Sequence, residues 1–286
     1  MLSFKFEIDE DKIARTMIRH CERMSRIGRY ITEDQVNFLW ALDRTSYNAL
    51  KSSTFASVNQ EILNVVKKMD FFPQVVADSK MNKERIEKKW ARYQDKVNEY
   101  LKSVLRIDFT LENTKAYIVS PNICNGNTNI SEKYVVYGHT GGLKDEVYDI
   151  VYLTHEALHV LLGNQDMVHA IIEKIADEGL NELLNGEYKR YRFGDLNGLL
   201  DMHVRIFPYW NLYLNKSTKE IDKACKTFNI SYNKKRFEPL RPILSKMNIY
   251  EFISWLNENN IFKMNYIAKI KILNNDGAYL WESLKK

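Results

Sequence analysis

Residues 148–184 have the sequence YDIVYLTHEALHVLLGNQDMVHAIIEKIADEGLNELL, with the apolar spacing of two successive helices. Apolar residues recur every three or four positions on both sides of Gly163, and glycine is the residue most typical of a helix C-terminus. Asp166 and Gly186 mark the start and the end of the second helix. Because residues 163–165 can form a turn, we expect the second helix to run antiparallel to the first.

The first helix contains His155-Glu156-Ala157-Leu158-His159, an HExxH motif. Residues four apart on a helix share one face, with Cβ atoms about 5–6 Å apart, so both imidazoles can reach a single ion. Glu156 follows the first histidine and can lean over the open position of that ion. The motif therefore predicts two Zn²⁺ ligands, His155 and His159, and a general base, Glu156.

A third ligand has to come from another segment, because catalytic zinc keeps three protein ligands and one position for water. Glu178 follows His159 on the second helix and is the candidate. Glu182 lies one helical turn later and can accept a hydrogen bond from a histidine ligand. We predict Glu178 as the third ligand and Glu182 as an orienting carboxylate, with Asp177 as a further acidic residue to test.

This combination resembles the active site of gluzincin metallopeptidases, the group that includes thermolysin and the aminopeptidase N family. The resemblance rests on the HExxH motif, the eighteen residues after it, and the run Glu178-Gly179-Leu180-Asn181-Glu182. It implies that His155, His159 and Glu178 hold zinc, that Glu156 is the base and that Glu182 orients a ligand. It also implies a zinc metalloprotease of a small gluzincin branch, acting on a peptide or protein substrate. No G-x-M-E-N-like exopeptidase motif precedes the helix, so amino-terminal trimming is not implied.

The expected reaction is one-step peptide hydrolysis, in which Glu156 takes a proton from a zinc-activated water and passes it to the leaving amine. A donor to the tetrahedral oxyanion is also required. His203, Tyr209 and Tyr213 are candidates for that role, although aromatic residues at helical spacing are more often core. We expect an extended substrate to lie along residues 133–137, the last strand before the motif, and pairing on both sides of that strand would contradict this expectation.

Composition places the whole chain among globular proteins. It is 45% hydrophobic, 12% aromatic and 28% charged over 286 residues, which excludes disordered, collagen-like and coiled-coil classes. The first twenty residues are too charged for a signal peptide, and no stretch approaches the roughly 18–20 apolar residues of a membrane span. Three cysteines without a CxxC spacing indicate neither a disulfide framework nor a thiolate metal site. We expect a soluble cytoplasmic protein.

The pattern along the chain predicts an α+β fold that is predominantly helical, with a small sheet beside the two zinc-binding helices. Amphipathic helices are expected from Glu10 to about Arg106, and short strands within residues 115–120 and 133–139, on either side of an Asn- and Gly-rich turn at 125–129. We divide the chain into a helical region 1–110, a metallopeptidase core 111–190 and a helical region 191–286, together forming one compact body.

Two other histidines are interpreted as structural. His169 lies nine residues before Glu178, about half a turn out of phase, so we expect it to face away from the metal. His139 ends the second predicted strand and could line a cleft, but a loop histidine is more often incidental.

Two further functions stay open. The first is a regulatory or toxin-like protein in which the HExxH segment serves one macromolecular partner, and its support is the basic stretches 83–96 and 216–241. The net charge of +5 is too mild for a dedicated nucleic-acid binder, and we interpret residues 79–97 as a solvated helix face. The second is a non-catalytic domain stabilised by zinc.

Overall fold

The structure is a computed structural model that describes residues 1–53, 55–123, 125–186, 196–227, 232–261, 269–272 and 279–282. Its contacts divide the chain into two compact units. The first consists of Met1–Asn98 and Phe109–Gly163, and the second of Glu99–Asp108 and Asn164–Lys286. These units do not follow the ranges 1–110, 111–190 and 191–286, which stay a prediction. The fold is mostly helical with a small four-stranded sheet, which agrees with the predicted α+β class.

The first unit holds the sheet and the HExxH helix. Its elements in chain order are β1 (Leu2–Glu7), α1 (Glu10–Arg26), α2 (Glu33–Leu42), α3 (Arg44–Ser52), α4 (Gln60–Lys67), the first part of α5 (Phe72–Leu105), β2 (Leu111–Ile118), a 3₁₀ turn (Pro121–Ile123), β3 (Asn125–Asn129), β4 (Tyr134–Gly138), α6 (Gly141–Lys144) and α7 (Tyr148–Leu162).

The second unit is built mainly from helices. It contains the end of α5, then α8 (Asp166–Glu173), a π-helix (Lys174–Leu180), α9 (Asn181–Asn185), α10 (Leu196–Tyr213), α11 (Thr218–Thr227), α12 (Lys234–Phe237), a 3₁₀ turn (Glu238–Leu240), α13 (Arg241–Leu244), α14 (Ile249–Glu258), and the antiparallel pair β5 (Lys269–Ile272) and β6 (Tyr279–Glu282). Among the described residues, no helix combines the length and apolar character needed to cross a membrane.

The four-stranded sheet of the first unit has the order β1-β2-β4-β3. Strand β4 is paired on both sides, parallel to β2 and antiparallel to β3. The prediction that residues 133–137 offer a sheet edge to a substrate is therefore wrong. The two edge strands are β1 and β3, and β3 spans the Asn- and Gly-rich residues that were predicted to form a turn.

Both faces of this sheet are covered, which explains the uninterrupted apolar run Tyr-Val-Val-Tyr of β4. Tyr134 and Val136 pack into a cluster with buried residues of α1 to α4. Val135 and Tyr137 point the other way and pack with Ile86 of α5 and Leu153 of α7. Helix α7 is thus fixed to one face of the sheet by its apolar side.

A buried ionic network fixes the first turn of α7 to α5. The Asp149 carboxylate is fully buried, with Arg85 Nη1 2.5 Å and Lys89 Nζ 3.1 Å from its Oδ2 atom. The Tyr137 hydroxyl donates to Oδ1 over 2.7 Å. Burial, together with the adjacent Asp149 charge, raises the pKa of Tyr137, so its hydroxyl remains a donor. Both cations also donate to the Gly142 carbonyl, where a Cβ would lie 1.8 Å from Asp149 Oδ1.

We expect Asp149→Ala to destabilise the protein by roughly 3–5 kcal/mol, because the substitution leaves buried Lys89 and half-buried Arg85 without their carboxylate. Urea unfolding measures the change. Glu146→Ala is the matched control, since Glu146 pairs with Arg92 over 2.6 Å with both side chains about half exposed; we expect it to cost under about 1 kcal/mol. Equal losses in the two variants would contradict the structural role of the Asp149 network.

This network also bears on the basic segment 79–97, which lies on α5 as predicted. Arg85 and Lys89 are directed to Asp149, and Lys83 pairs with Glu87 over 2.6 Å one turn along the helix. Several cations of this segment are thus neutralised inside the first unit. The interpretation of this segment as a solvated helix face stays a prediction, since Arg85 and Lys89 lie at a buried carboxylate.

In the second unit, the predicted helix between Asp166 and Gly186 is present, with Gly186 in the left-handed region at φ 75°. Its interior differs from the prediction, because residues 174–180 form a π-helix. The Tyr100 hydroxyl of α5 donates to the Ile175 carbonyl over 2.8 Å and approaches Gly179 so closely that a Cβ there would lie 2.0 Å from it. A π-helix shifts the helical phase, so Glu178 and Glu182 are not related by regular α-helical geometry.

Candidate metal centre

The HExxH motif lies on α7, within the first unit, as predicted. His155, Glu156 and His159 have exposed fractions of only 2%, 7% and 5%. Two imidazoles and a carboxylate so deeply buried need polar partners, because an unpartnered buried polar group is costly. The motif is therefore a built polar site inside the fold and not a chance match on a solvated helix face.

The two imidazoles converge on one point. The Nε2 atoms of His155 and His159 are 3.3 Å apart. Two nitrogen ligands of a tetrahedral zinc ion, each about 2.0–2.1 Å from the metal, lie about 3.3–3.4 Å from each other. The same separation suits a hydrogen bond between one protonated and one unprotonated ring nitrogen. The geometry of the pair thus fits zinc.

The His159 tautomer is set by the end of its own helix. His159 Nδ1 lies 2.9 Å from the Gly163 carbonyl oxygen, which can only accept, so Nδ1 is the donor. In the neutral ring, Nε2 then carries the lone pair that a metal requires. The sequence motif predicts Glu182 for the orienting role, whereas Gly163 is predicted only as the end of the helix.

Only glycine is suited to the backbone conformation at position 163, where φ is 101° and ψ is −170°. A Cβ added there would meet no atom within 4 Å, so a substitution acts through backbone strain alone. The sequence could have predicted this contact, because the carbonyl of a glycine four residues after a ligand histidine lies within reach of the histidine ring.

We expect Gly163→Ala to weaken zinc binding by roughly 10- to 100-fold, because the strained carbonyl no longer orients the His159 ring. The strain itself should cost on the order of 1–3 kcal/mol of stability. A chelator-competition titration measures the first effect and thermal unfolding the second. Gly186→Ala, at φ 75° after α9, is the control that strains a helix end without touching a ligand. Unchanged zinc affinity in Gly163→Ala would contradict the role of this carbonyl.

Glu156 is held from the edge strand. The Thr128 hydroxyl of β3 lies 2.5 Å from Glu156 Oε2 and 2.9 Å from the Glu156 backbone carbonyl oxygen. The hydroxyl orients the carboxylate that the motif predicts as the base. Thr128 is not predicted from the sequence, because the turn composition of residues 125–129 hides the strand that carries it.

Aromatic residues extend the same face of α7 away from the histidines. The rings of Tyr152 and His155 have centroids 6.2 Å apart. Tyr148 lies one turn before Tyr152, and its ring is tilted against the His139 ring with centroids 4.9 Å apart. His139 Nδ1 accepts a hydrogen bond from the Gly141 amide over 2.8 Å, and burial lowers the pKa of His139. A neutral His139 thus belongs to this aromatic row. It has a specific ring contact and a hydrogen bond, whereas the sequence predicted a histidine without a particular role.

The second unit holds the predicted third ligand in a cluster of charged side chains. Glu178 accepts hydrogen bonds over 2.8 Å from Lys174 Nζ on both carboxylate oxygens, and its Oε1 is 3.6 Å from His203 Nδ1. Glu173, buried to 1% exposure, hydrogen-bonds His203 Nε2 and lies 3.6 Å from His169 Nε2. A carboxylate set between two imidazoles is a typical partner of metal-binding histidines.

The remaining predicted residues have the following places in the second unit. Glu182 is exposed at the start of α9, and its orienting role stays a prediction. Asp177 is buried at 1% exposure. Tyr213 is fully buried and donates its hydroxyl to the Val104 carbonyl, and Tyr209 packs against Phe237 and Trp255. Both tyrosines are thus core residues of this unit, whereas the candidate His203 belongs to the charged cluster.

In comparisons with known proteins, no family model, no curated protein and no solved structure matches this chain.

Proposed function

We propose that this protein is a zinc metallopeptidase that hydrolyses peptide bonds, with His155 and His159 as metal ligands and Glu156 as general base. The observation that supports it most is the 3.3 Å separation of the two histidine Nε2 atoms, next to a buried glutamate on the same helix. Glu178 is the proposed third ligand, on the strength of its spacing from the motif.

The residues of α7 divide the chemistry between them. Zinc, when bound, supplies a water of lowered pKa and polarises the substrate carbonyl. Glu156 accepts the proton of the attacking water and returns it to the departing amine. His159 presents its Nε2 lone pair because Gly163 holds the opposite ring nitrogen as a donor.

We further propose that an extended substrate lies along the outer edge of β3. Among the described residues, β4 is the only strand neighbour of β3, so the opposite edge of β3 can pair with an added peptide strand. The contact between Thr128 and Glu156 brings this strand next to the proposed base. This assignment replaces the expectation for residues 133–137.

Metal analysis combined with a peptide-library cleavage assay, with and without chelator, tests the proposal. We expect about one zinc per chain and cleavage that stops when the metal is removed and returns when it is restored. Zinc without cleavage of any peptide would favour the metal-stabilised domain, and cleavage restricted to one protein would favour the regulatory or toxin-like alternative. Hydrolysis that persists in the metal-free protein would contradict the proposed function.

A further inference from the structure

Strand β3 is attached to α7 at two points. The Tyr152 hydroxyl lies 3.3 Å from the Gly126 carbonyl oxygen, and the Thr128 hydroxyl reaches Glu156. A Cβ on Gly126 would lie 2.0 Å from the Tyr152 ring, so a larger residue there would displace that ring. The backbone of the edge strand therefore touches the helix that carries the proposed base.

Both contacts can form together because the spacing of the two residues on β3 matches the spacing of the two residues on α7. Residues 126 and 128 are two apart on a strand, which separates them by about 6.6 Å, and residues 152 and 156 are four apart on a helix, which separates them by about 6 Å. The same face of β3 thus meets the same face of α7 at both points. A shift of one contact displaces the other.

Thr128 is the polar half of this attachment. Its hydroxyl has one proton and two acceptors on the same residue, the carboxylate and the backbone carbonyl of Glu156. A hydrogen bond to a carboxylate is stronger than one between neutral groups. The Glu156 side chain is therefore oriented from the strand beside it.

We propose that Thr128 is a positioning residue for Glu156. The Thr128 hydroxyl couples the edge strand β3 to the Glu156 carboxylate, so that a peptide added to β3 lies at a fixed place relative to the base. This inference rests on the proposed function for its catalytic consequence. The coupling itself is a property of the first unit and can be measured in the protein without metal.

The first experiment is a double-mutant cycle on the stability of the full-length, metal-free chain. Thr128→Val should raise the unfolding equilibrium constant about tenfold or more, since it removes a charge-assisted hydrogen bond to a buried carboxylate, but less than about threefold when Glu156 is already alanine. Thr128→Ser keeps the hydroxyl and should remain close to wild type. Equal effects of Thr128→Val in the two backgrounds would overturn the proposal.

Thr114→Val is the matched control. The Thr114 hydroxyl is buried on strand β2 of the same sheet and donates to the Leu111 carbonyl over 3.0 Å. Its loss should have the same effect whether or not Glu156 is present. A dependence on Glu156 as large as that of Thr128 would show that the cycle reports general packing, which overturns the inference as well.

The second experiment measures hydrolysis by the zinc-loaded protein. Thr128→Val should lower kcat roughly 10- to 100-fold while KM changes less than about threefold, and Thr128→Ser should restore most of the rate. An unchanged kcat in Thr128→Val overturns the positioning role even if wild type is active. If wild type hydrolyses no peptide, the proposed function fails, and the cycle alone decides whether Thr128 is coupled to Glu156.

Discussion

Glu156→Gln is expected to lower the rate of peptide hydrolysis at least about a hundredfold while zinc stoichiometry stays at the wild-type value. A neutral amide of the same shape cannot accept the proton of the attacking water, and the loss of a general base lowers the rate roughly a hundredfold to ten-thousandfold. The Thr128 hydroxyl can still donate to the amide oxygen of glutamine, so the geometry of the site is retained. Measurement of kcat/KM beside metal content by elemental analysis tests both halves of the prediction.

Glu146→Gln provides the control for this substitution. Glu146 stands just before α7, and its side chain is 48% exposed and paired with Arg92. Its replacement removes the same charge from the same region without touching the motif, so activity should stay within about twofold of wild type. Hydrolysis retained in Glu156→Gln would remove Glu156 from the mechanism, whatever the metal content.

The parts of the fold that follow from local pattern could be predicted from the sequence. Helices α5 and α7, strand β4 and the helix boundaries at Asp166 and Gly186 all carry a clear periodicity or a terminal residue. Strand β3 could not be recognised, since NGNTN has turn composition and becomes a strand only because β4 offers it a partner. Because this long-range pairing cannot be read from local pattern, β4 was predicted as the edge strand, although β3 covers it.

The candidate site divides in the same way. The HExxH spacing predicts the convergence of His155 and His159, because both lie on one helix and their separation depends only on helical geometry. The groups that orient them depend on other segments. Gly163 acts through a backbone carbonyl, which a search for polar side chains overlooks, and Thr128 reaches Glu156 from a distant strand. The π-helix that contains Glu178 accepts a hydrogen bond at Ile175 from Tyr100, 75 positions earlier in the chain.

The assignment of Glu178 as the third ligand rests on its spacing from the motif alone. In the structure Glu178 is bound on both carboxylate oxygens by Lys174, whose side chain is only 5% exposed. Binding to zinc would require the carboxylate to exchange this cation for the metal. Lys174→Met should therefore strengthen zinc binding if Glu178 is a ligand, because the competing partner is removed.

Glu178→Ala is expected to weaken zinc binding about a hundredfold or more. Zinc sites with four ligands bind with about 10–16 kcal/mol, so one ligand accounts for roughly 3 kcal/mol, and each 1.4 kcal/mol is a factor of ten. Competition with a calibrated chelator gives the affinity, and circular dichroism separates it from unfolding caused by loss of the Lys174–Glu178 ion pair. His169→Ala is the comparison, because His169 lies beside the buried Glu173 carboxylate, as ligand histidines commonly do. A large loss of zinc affinity in His169→Ala, with none in Glu178→Ala, would make His169 the third ligand. It would also show that the gluzincin spacing does not identify the ligand in this chain.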